Sequence, residues 1–303
     1  MNIETLIFAG VVSVTALLLC IFLHIRRRFR FWKGEAQKLL EGGYLPAPST
    51  FWARLTFSLV CRLLVFMAVG PVKVVGRHNE RYNGRLLIGP NHTFNLDFAV
   101  TRVAVGCHYT QVAKHDELKG KRALLAAWVG TIAAKVEGGV AALGKGNAVV
   151  EAAAHYLAST RLARLLIYPQ GKLVEDNVLR CDDFRTGAAR SLNQATEQLD
   201  NDQPLAYLPV ALHYKRDRAD ATLFHRFVEL MALVVPPLRK FRLWVDTTRA
   251  EDGSKIVRKR RHYGASVVVG KPVPIGELPD DPRECANFMQ GRIQELLVRA
   301  EAI

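Results

Sequence analysis

Residues 86 to 97, Leu-Leu-Ile-Gly-Pro-Asn-His-Thr-Phe-Asn-Leu-Asp, constrain this chain more than any other stretch. Their short apolar run reads as a buried strand, and Gly89 and Pro90 stop it and supply a turn. Just past the strand come a histidine, His92, and a carboxylate, Asp97. Carboxyl ends of strands are where open α/β sheets carry their chemistry. With four residues between them, the two side chains can pair across a strand-to-helix turn. The carboxylate then fixes the imidazole tautomer and leaves the other ring nitrogen free as a base. On a regular helix the same spacing would put them on different faces, so the pairing requires a turn. The residues equally fit a capping Asp beside an ordinary loop His, and this stretch alone leaves both readings open.

From Pro71 onward, strand-like and helix-like segments alternate. Strands are expected at residues 72–75, 86–88, 109–113, 165–168, 205–212, 243–246 and 266–269, and helices at 97–105, 117–135, 148–159, 186–199 and 281–300. The last helix has Pro282 in its first turn and an apolar stripe of Phe288, Met289, Ile293, Leu296 and Leu297. This alternation predicts an α/β fold, a mixed sheet flanked by helices on both faces. No internal repeat or low-complexity segment interrupts it.

The segment before Pro71 reads differently. Residues 6–23 carry no charge, and at about 1.5 Å per residue they nearly span a hydrocarbon core of about 30 Å. A cleaved signal peptide is disfavoured, because Glu4 stands at the start, no positive charge precedes the run and no small-x-small site follows it. Instead comes Arg26-Arg27-Arg28-Phe29-Arg30-Phe31-Trp32-Lys33, a basic and aromatic cluster suited to anionic headgroups. Positive flanks stay cytoplasmic, so a single-pass anchor with the rest of the chain on the cytoplasmic face is expected. Residues 51–70 are again apolar, but Arg54 and Arg62 interrupt them. A helix lying in the membrane interface and a buried core helix both fit. The expected divisions are residues 1–33 (transmembrane anchor and basic cluster), 34–70 (membrane-interface helices) and 71–303 (catalytic domain).

Several blocks of the chain resemble the glycerolipid acyltransferase family, which includes the 1-acylglycerol-3-phosphate acyltransferases. The family's Asn-His-x4-Asp block is similar to Asn91-His92 through Asp97, and its Phe-Pro-Glu-Gly-Thr block to Tyr168-Pro169-Gln170-Gly171-Lys172. Phe184-Arg185-Thr186-Gly187-Ala188 resembles a Phe-Lys-x-Gly-Ala stretch, and Leu208-Pro209-Val210-Ala211 a Val-Pro-Val strand. The blocks follow the family's order over roughly residues 70 to 275. Two departures stand out. Gln170 replaces the usual Glu, keeping hydrogen-bonding capacity without charge. Gly144-Lys145 stands where the second block usually ends in Asp-Arg.

The resemblance implies a membrane-bound O-acyltransferase. His92 would be the general base on a lysolipid hydroxyl and Asp97 its support. The donor would be acyl-CoA or acyl carrier protein, a substrate, with no cofactor. Pro169, Gln170 and Gly171 would form the substrate turn, with backbone donors near it stabilising the oxyanion. Lys145, Lys172 and Arg185 would hold the acceptor's phosphate, although Lys145 also fits a solvated loop lysine and Arg185 a water-facing residue at a helix start. The implied acceptor is 1-acyl-glycerol-3-phosphate, with a lyso-ornithine lipid or another lysophospholipid as the alternative. Helical docking elements before the catalytic domain fit the same family, and membrane lipids are expected partners.

Other chemistries find little support. The net charge of +14 implies an anionic partner: nucleic acid, a membrane surface or a phosphorylated substrate. Arg258-Lys259-Arg260-Arg261 is basic but short and belongs to no recognisable nucleic-acid module, so it is expected to be a solvated or headgroup-facing loop and no nucleic-acid partner is expected. A non-enzymatic membrane protein binding nucleic acid or anionic lipid would need neither His92 nor Asp97. His108, His115, His155 and His213 lack metal-ligand spacing, so no metal is expected. There is no Gly-x-Ser-x-Gly elbow or phosphate-binding loop. Cys20, Cys61, Cys107, Cys181 and Cys285 are scattered and odd in number, as expected of reduced thiols. Residues 223–238 are apolar with basic flanks and fit an acyl groove, a membrane contact or core.

Overall fold

The computed structural model describes residues 27–39, 49–115, 118, 120–134, 146–174, 177, 179–180, 184–199, 204–234, 244–249, 255–260 and 262–303. The expected anchor at 6–23, the stretch containing Lys145 and the end of the 223–238 run lie outside them. The helices are α1 (residues 27–39), α2 (Phe51–Ala68), α3 (Asp97–Val105), α4 (Lys121–Val129), α5 (Gly146–Ser159), α6 (Gly187–Glu197), α7 (Leu223–Val234) and α8 (Pro282–Glu301).

The main sheet has the order β1 (Val72–Val75), β9 (Ala265–Val269), β6 (Leu205–Tyr214), β2 (Arg85–Pro90), β5 (Arg164–Leu166), β3 (Thr110–Lys114), β4 (Thr131–Ala134). The run from β6 to β4 is parallel, and β9 is antiparallel to β6. β10 (Val273–Pro274) adds an antiparallel pair on β6, while β7 (Trp244–Arg249) and β8 (Lys255–Arg260) form a separate antiparallel ribbon. The sheet is therefore mixed, as the alternation predicted.

Its two faces bury different helices. Leu86, Ile88, Leu208, Val210 and Val267 pack with α2 and α3, whereas Leu87, Tyr207, Ala211 and Val268 pack with α5, α6 and α8. Alternate residues of one strand thus enter opposite cores, as the pleat dictates. Each fully buried Leu or Ile contributes about 1.5–3 kcal/mol. A one-residue slip of β2 would exchange every side chain between the faces, so burial fixes its register and with it the position of His92. Capping fixes helix ends too: Asp281 accepts from the backbone N–H groups of Arg283 (2.8 Å) and Glu284 (2.9 Å) ahead of Pro282.

Three expectations require correction. Gly89 and Pro90 do not form the turn. They are the last residues of β2, paired with Pro209 and Val210 of β6, and the chain turns after His92. Glycine is needed at 89 because a Cβ there would lie 2.5 Å from the buried Tyr207 ring. The helix expected over 117–135 stops at Val129, where Gly130 takes φ +81°, and Thr131–Ala134 becomes strand β4. Residues 258–260 belong to strand β8, with Asp246 opposite Arg258, and are not a loop.

α2 is a core helix on one side and leaves apolar side chains exposed on the other. Ala53, Phe57, Cys61 and Val65, spaced by four, are buried, and the Phe57 ring stacks on Phe98 of α3 with centroids 6.2 Å apart. Its other side exposes Phe51 (70 %), Trp52 (69 %), Leu55, Leu59, Leu63 and Phe66. α2 is long and apolar enough to cross a membrane, the one such helix among the described residues. α7 adjoins it: Phe66 meets Phe224 with ring centroids 4.4 Å apart, and Leu223, Phe227 and Leu230 of α7 are exposed.

Candidate active site

β2 delivers its cargo into a loop tied on two sides. Asn91, fully buried, donates through Nδ2 to the Leu212 carbonyl (2.9 Å) and accepts at Oδ1 from the Leu212 N–H (2.7 Å). The His92 N–H donates to Gln170 Oε1 at 2.5 Å, and the His92 carbonyl accepts from the Val174 N–H at 2.8 Å. The chain then turns through residues 93–96, and α3 begins at Asp97.

That turn makes the pairing foreseen from the spacing. His92 Nδ1 lies 2.9 Å from Asp97 Oδ2; the histidine side chain is 23 % exposed and that of Asp97 0 %. The same oxygen accepts from the N–H groups of Thr93 (2.6 Å) and Phe94 (2.9 Å), and Oδ1 accepts from the Tyr214 hydroxyl on β6. Such a carboxylate assigns the ring proton to Nδ1 and leaves the lone pair on Nε2. Burial and the Asp97 charge push the Tyr214 phenol well above its ordinary range, so it remains a neutral donor. The Tyr168 ring stacks on the imidazole at 4.2 Å and 23°, fixing its plane.

The Tyr168–Lys172 block folds against the His92 loop. Gly171 takes φ +61° and donates to the Tyr168 carbonyl at 3.0 Å, closing the Pro169-Gln170-Gly171 turn. The Arg185 N–H donates to the Pro169 carbonyl at 2.8 Å, and its side chain packs so closely on Gly171 that a Cβ there would lie 3.1 Å from Cδ. His92, Asp97, Pro169, Gln170, Gly171 and Arg185 therefore come together. Lys172 follows the turn and is exposed, as is Arg185. Gln170 is fully buried; because His92 N–H engages Oε1, its Nε2 is the donor end, and that atom has no hydrogen-bond partner.

Sequence reasoning did not single out Tyr214 or the support role of Asn91. Asn91 was visible beside His92, but its partner lies 121 residues away. Tyr214 carries no local signal, since only the β2–β6 pairing brings it to Asp97.

The described cysteines are poorly prepared as nucleophiles. Burial pushes the Cys61 thiol up to about 12, and those of Cys107 and Cys285 to about 11, so none is a thiolate near neutrality. Among the described residues no cluster of His, Cys, Asp and Glu is arranged to hold a metal. What the site offers is an oriented base at the carboxyl end of a central strand, beside a turn carrying an unengaged amide donor.

No protein-family model matches the chain, and no curated protein matches it in sequence. Among solved structures it is similar to the 1-acyl-sn-glycerophosphate (LPA) acyltransferase PlsC of Thermotoga maritima. The two align over 82 % of this chain and 81 % of that one, with 11 % identity and a TM-score of 0.52. The fold is shared across most of both chains.

Proposed function

We propose that the protein is a membrane-bound acyltransferase that moves a fatty acyl group from acyl-CoA or acyl carrier protein to a lysolipid hydroxyl. The observation that carries this reading is the partly exposed His92 imidazole held by the buried Asp97 carboxylate. His92 Nε2 takes the hydroxyl proton as the oxygen attacks the thioester carbonyl, while Asp97 stabilises the imidazolium. Collapse of the tetrahedral intermediate expels the thiolate, which receives that proton. No acyl-enzyme forms. The Gly171 N–H is already engaged with Tyr168, so the oxyanion is assigned to other backbone N–H groups near this turn.

The acceptor favoured is 1-acyl-glycerol-3-phosphate, the substrate named for the structurally similar PlsC, giving phosphatidic acid. Lys145, Lys172 and Arg185 are assigned to its phosphate. The test compares lysophosphatidic acid, a lyso-ornithine lipid and lysophosphatidylcholine as acceptors for wild type and Lys145→Ala. Lys145→Ala is expected to raise the KM for lysophosphatidic acid about tenfold, in keeping with a charge-assisted contact of about 1.5–3 kcal/mol, without changing the KM of the donor. Equal KM values would remove Lys145 from the assignment, and preference for the lyso-ornithine lipid would replace the acceptor.

Gln170→Glu examines the departure from the family block. A carboxylate there can still accept from the His92 N–H, but its negative charge favours the imidazolium. Since catalysis needs the neutral ring, the acidic limb of the kcat/KM profile is expected to move to higher pH with lysophosphatidic acid still a substrate. An unmoved limb would show that residue 170 does not sense the base.

Membrane attachment is assigned to residues 6–23, with the exposed apolar sides of α2 and α7 lying on the bilayer and the rest of the chain cytoplasmic. The full-length protein is expected to remain with membranes through high salt and carbonate. Release by salt alone would identify the basic cluster, and not residues 6–23, as the attachment.

A further inference from the structure

β6 runs beyond its neighbour at the carboxyl end of the sheet. Its pairing with β2 ends at Val210, opposite Pro90, whereas β6 continues to Tyr214. Two asparagine side chains occupy the edge that β2 leaves open. Asn91 holds both backbone groups of Leu212. Two residues on, Asn177 accepts from the Tyr214 N–H at 3.0 Å and donates through Nδ2 to the Tyr214 carbonyl at 3.1 Å. On the other edge Tyr214 stands opposite Ala265 of β9. Backbone position fixes the direction in which a strand side chain leaves. Phe94 and His262 pack on the Tyr214 ring, with centroids 5.5 Å and 4.8 Å away. The ring is held through its backbone and through its neighbours.

Its hydroxyl ends on the Asp97 carboxylate, which is fully buried. Oδ2 already serves His92 Nδ1 and the N–H groups of Thr93 and Phe94, and Oδ1 takes the Tyr214 hydroxyl. A hydroxyl donated to a carboxylate stabilises its charge. The more of that charge Tyr214 takes up, the less Asp97 favours an extra proton on the His92–Asp97 pair. Removing the donor makes the pair bind that proton more tightly, whichever member carries it. The phenol stays protonated for this task, because burial and then the Asp97 charge hold it well above its ordinary range.

We propose that Tyr214 is a positioning residue for acyl transfer: its hydroxyl fixes the Asp97 carboxylate and takes up part of its charge, which keeps His92 neutral and able to accept the substrate proton. The role rests on His92 being the base. The other titratable and charged groups near the pair are Tyr168, stacked on His92; His262, against the Tyr214 ring; Arg216, whose charge favours the phenolate; Lys172 and Arg185 at the substrate turn; and Arg102 further along α3. Tyr214→Phe leaves all of them in place and keeps the ring, so the hydroxyl alone is removed.

Two readouts compare the purified full chain of wild type and Tyr214→Phe. The first is an NMR titration with isotope-labelled histidine, in which the His92 signal is the one missing from His92→Ala. Its midpoint is expected to rise by about one unit in Tyr214→Phe. The second is the pH profile of kcat/KM for transfer to lysophosphatidic acid. Its acidic limb should move up with the midpoint, so the rate falls about tenfold on that limb and returns near wild type above it. KM should hold for both substrates, because the buried hydroxyl meets Asp97. If Tyr214→Phe does not fold, Asn177→Ala, which keeps the hydroxyl but releases the backbone that aims it, is read in its place with the same expected direction. An unmoved midpoint, a loss of rate equal at every pH or a changed KM overturns the role of Tyr214. A raised midpoint with an unmoved limb overturns His92 as the base, and the role of Tyr214 falls with it.

Discussion

His92→Ala is expected to lower acyl transfer by about 10²- to 10⁴-fold while leaving the unfolding transition near that of wild type. The imidazole is partly exposed, and its removal leaves Asp97 still accepting from Thr93, Phe94 and Tyr214, so no buried charge is stranded. Asp97→Asn should lose much of the activity and also stability. Its amide nitrogen must face one of the donors that the carboxylate satisfied, and His92 loses the acceptor that holds its Nδ1 proton. Transfer from acyl-CoA to lysophosphatidic acid, measured alongside thermal melts, separates the two effects. Near-normal turnover by folded His92→Ala would sink general-base catalysis by this residue.

Asn91→Ala is expected to be among the most destabilising single substitutions in the catalytic loop. It leaves both the N–H and the carbonyl of Leu212 buried without partners, at about 1–3 kcal/mol each. Against a typical net stability of about 5–15 kcal/mol, that is a large fraction. Chemical denaturation should show a lower midpoint with an unchanged slope, and activity should fall because His92 is the next residue. An unchanged midpoint would mean that β6 does not hold the loop.

Much of this was written locally. The bounds of α3, the strands at β2 and β9 and the start of α8 follow from apolar runs and their punctuation, because burial and caps are local signals. The His92–Asp97 pair was legible too, since five positions of chain suffice to bring the groups together once a turn intervenes. β4 was hidden because Thr131–Ala134 continues the apolar character of α4, and only the positive φ at Gly130 separates them. The role of Gly89 was misread because Tyr207, whose ring occupies the space of its missing side chain, is more than a hundred residues downstream. The same holds for Tyr214. Residue types announce what they are able to do; sheet register decides whom they meet.

The loop carrying His92 is bound to β6 through Asn91 and Tyr214 and to the neighbouring turn through Gln170 and Val174. Those bonds are made entirely by the protein's own groups. On the proposed reading, the geometry of the base is therefore set by the fold, and little reorganisation energy is attached to it when charge develops on the ring. The entropy of aligning His92 is lost once, when the chain folds, and does not recur with each turnover. What must still be ordered in every cycle is the substrate.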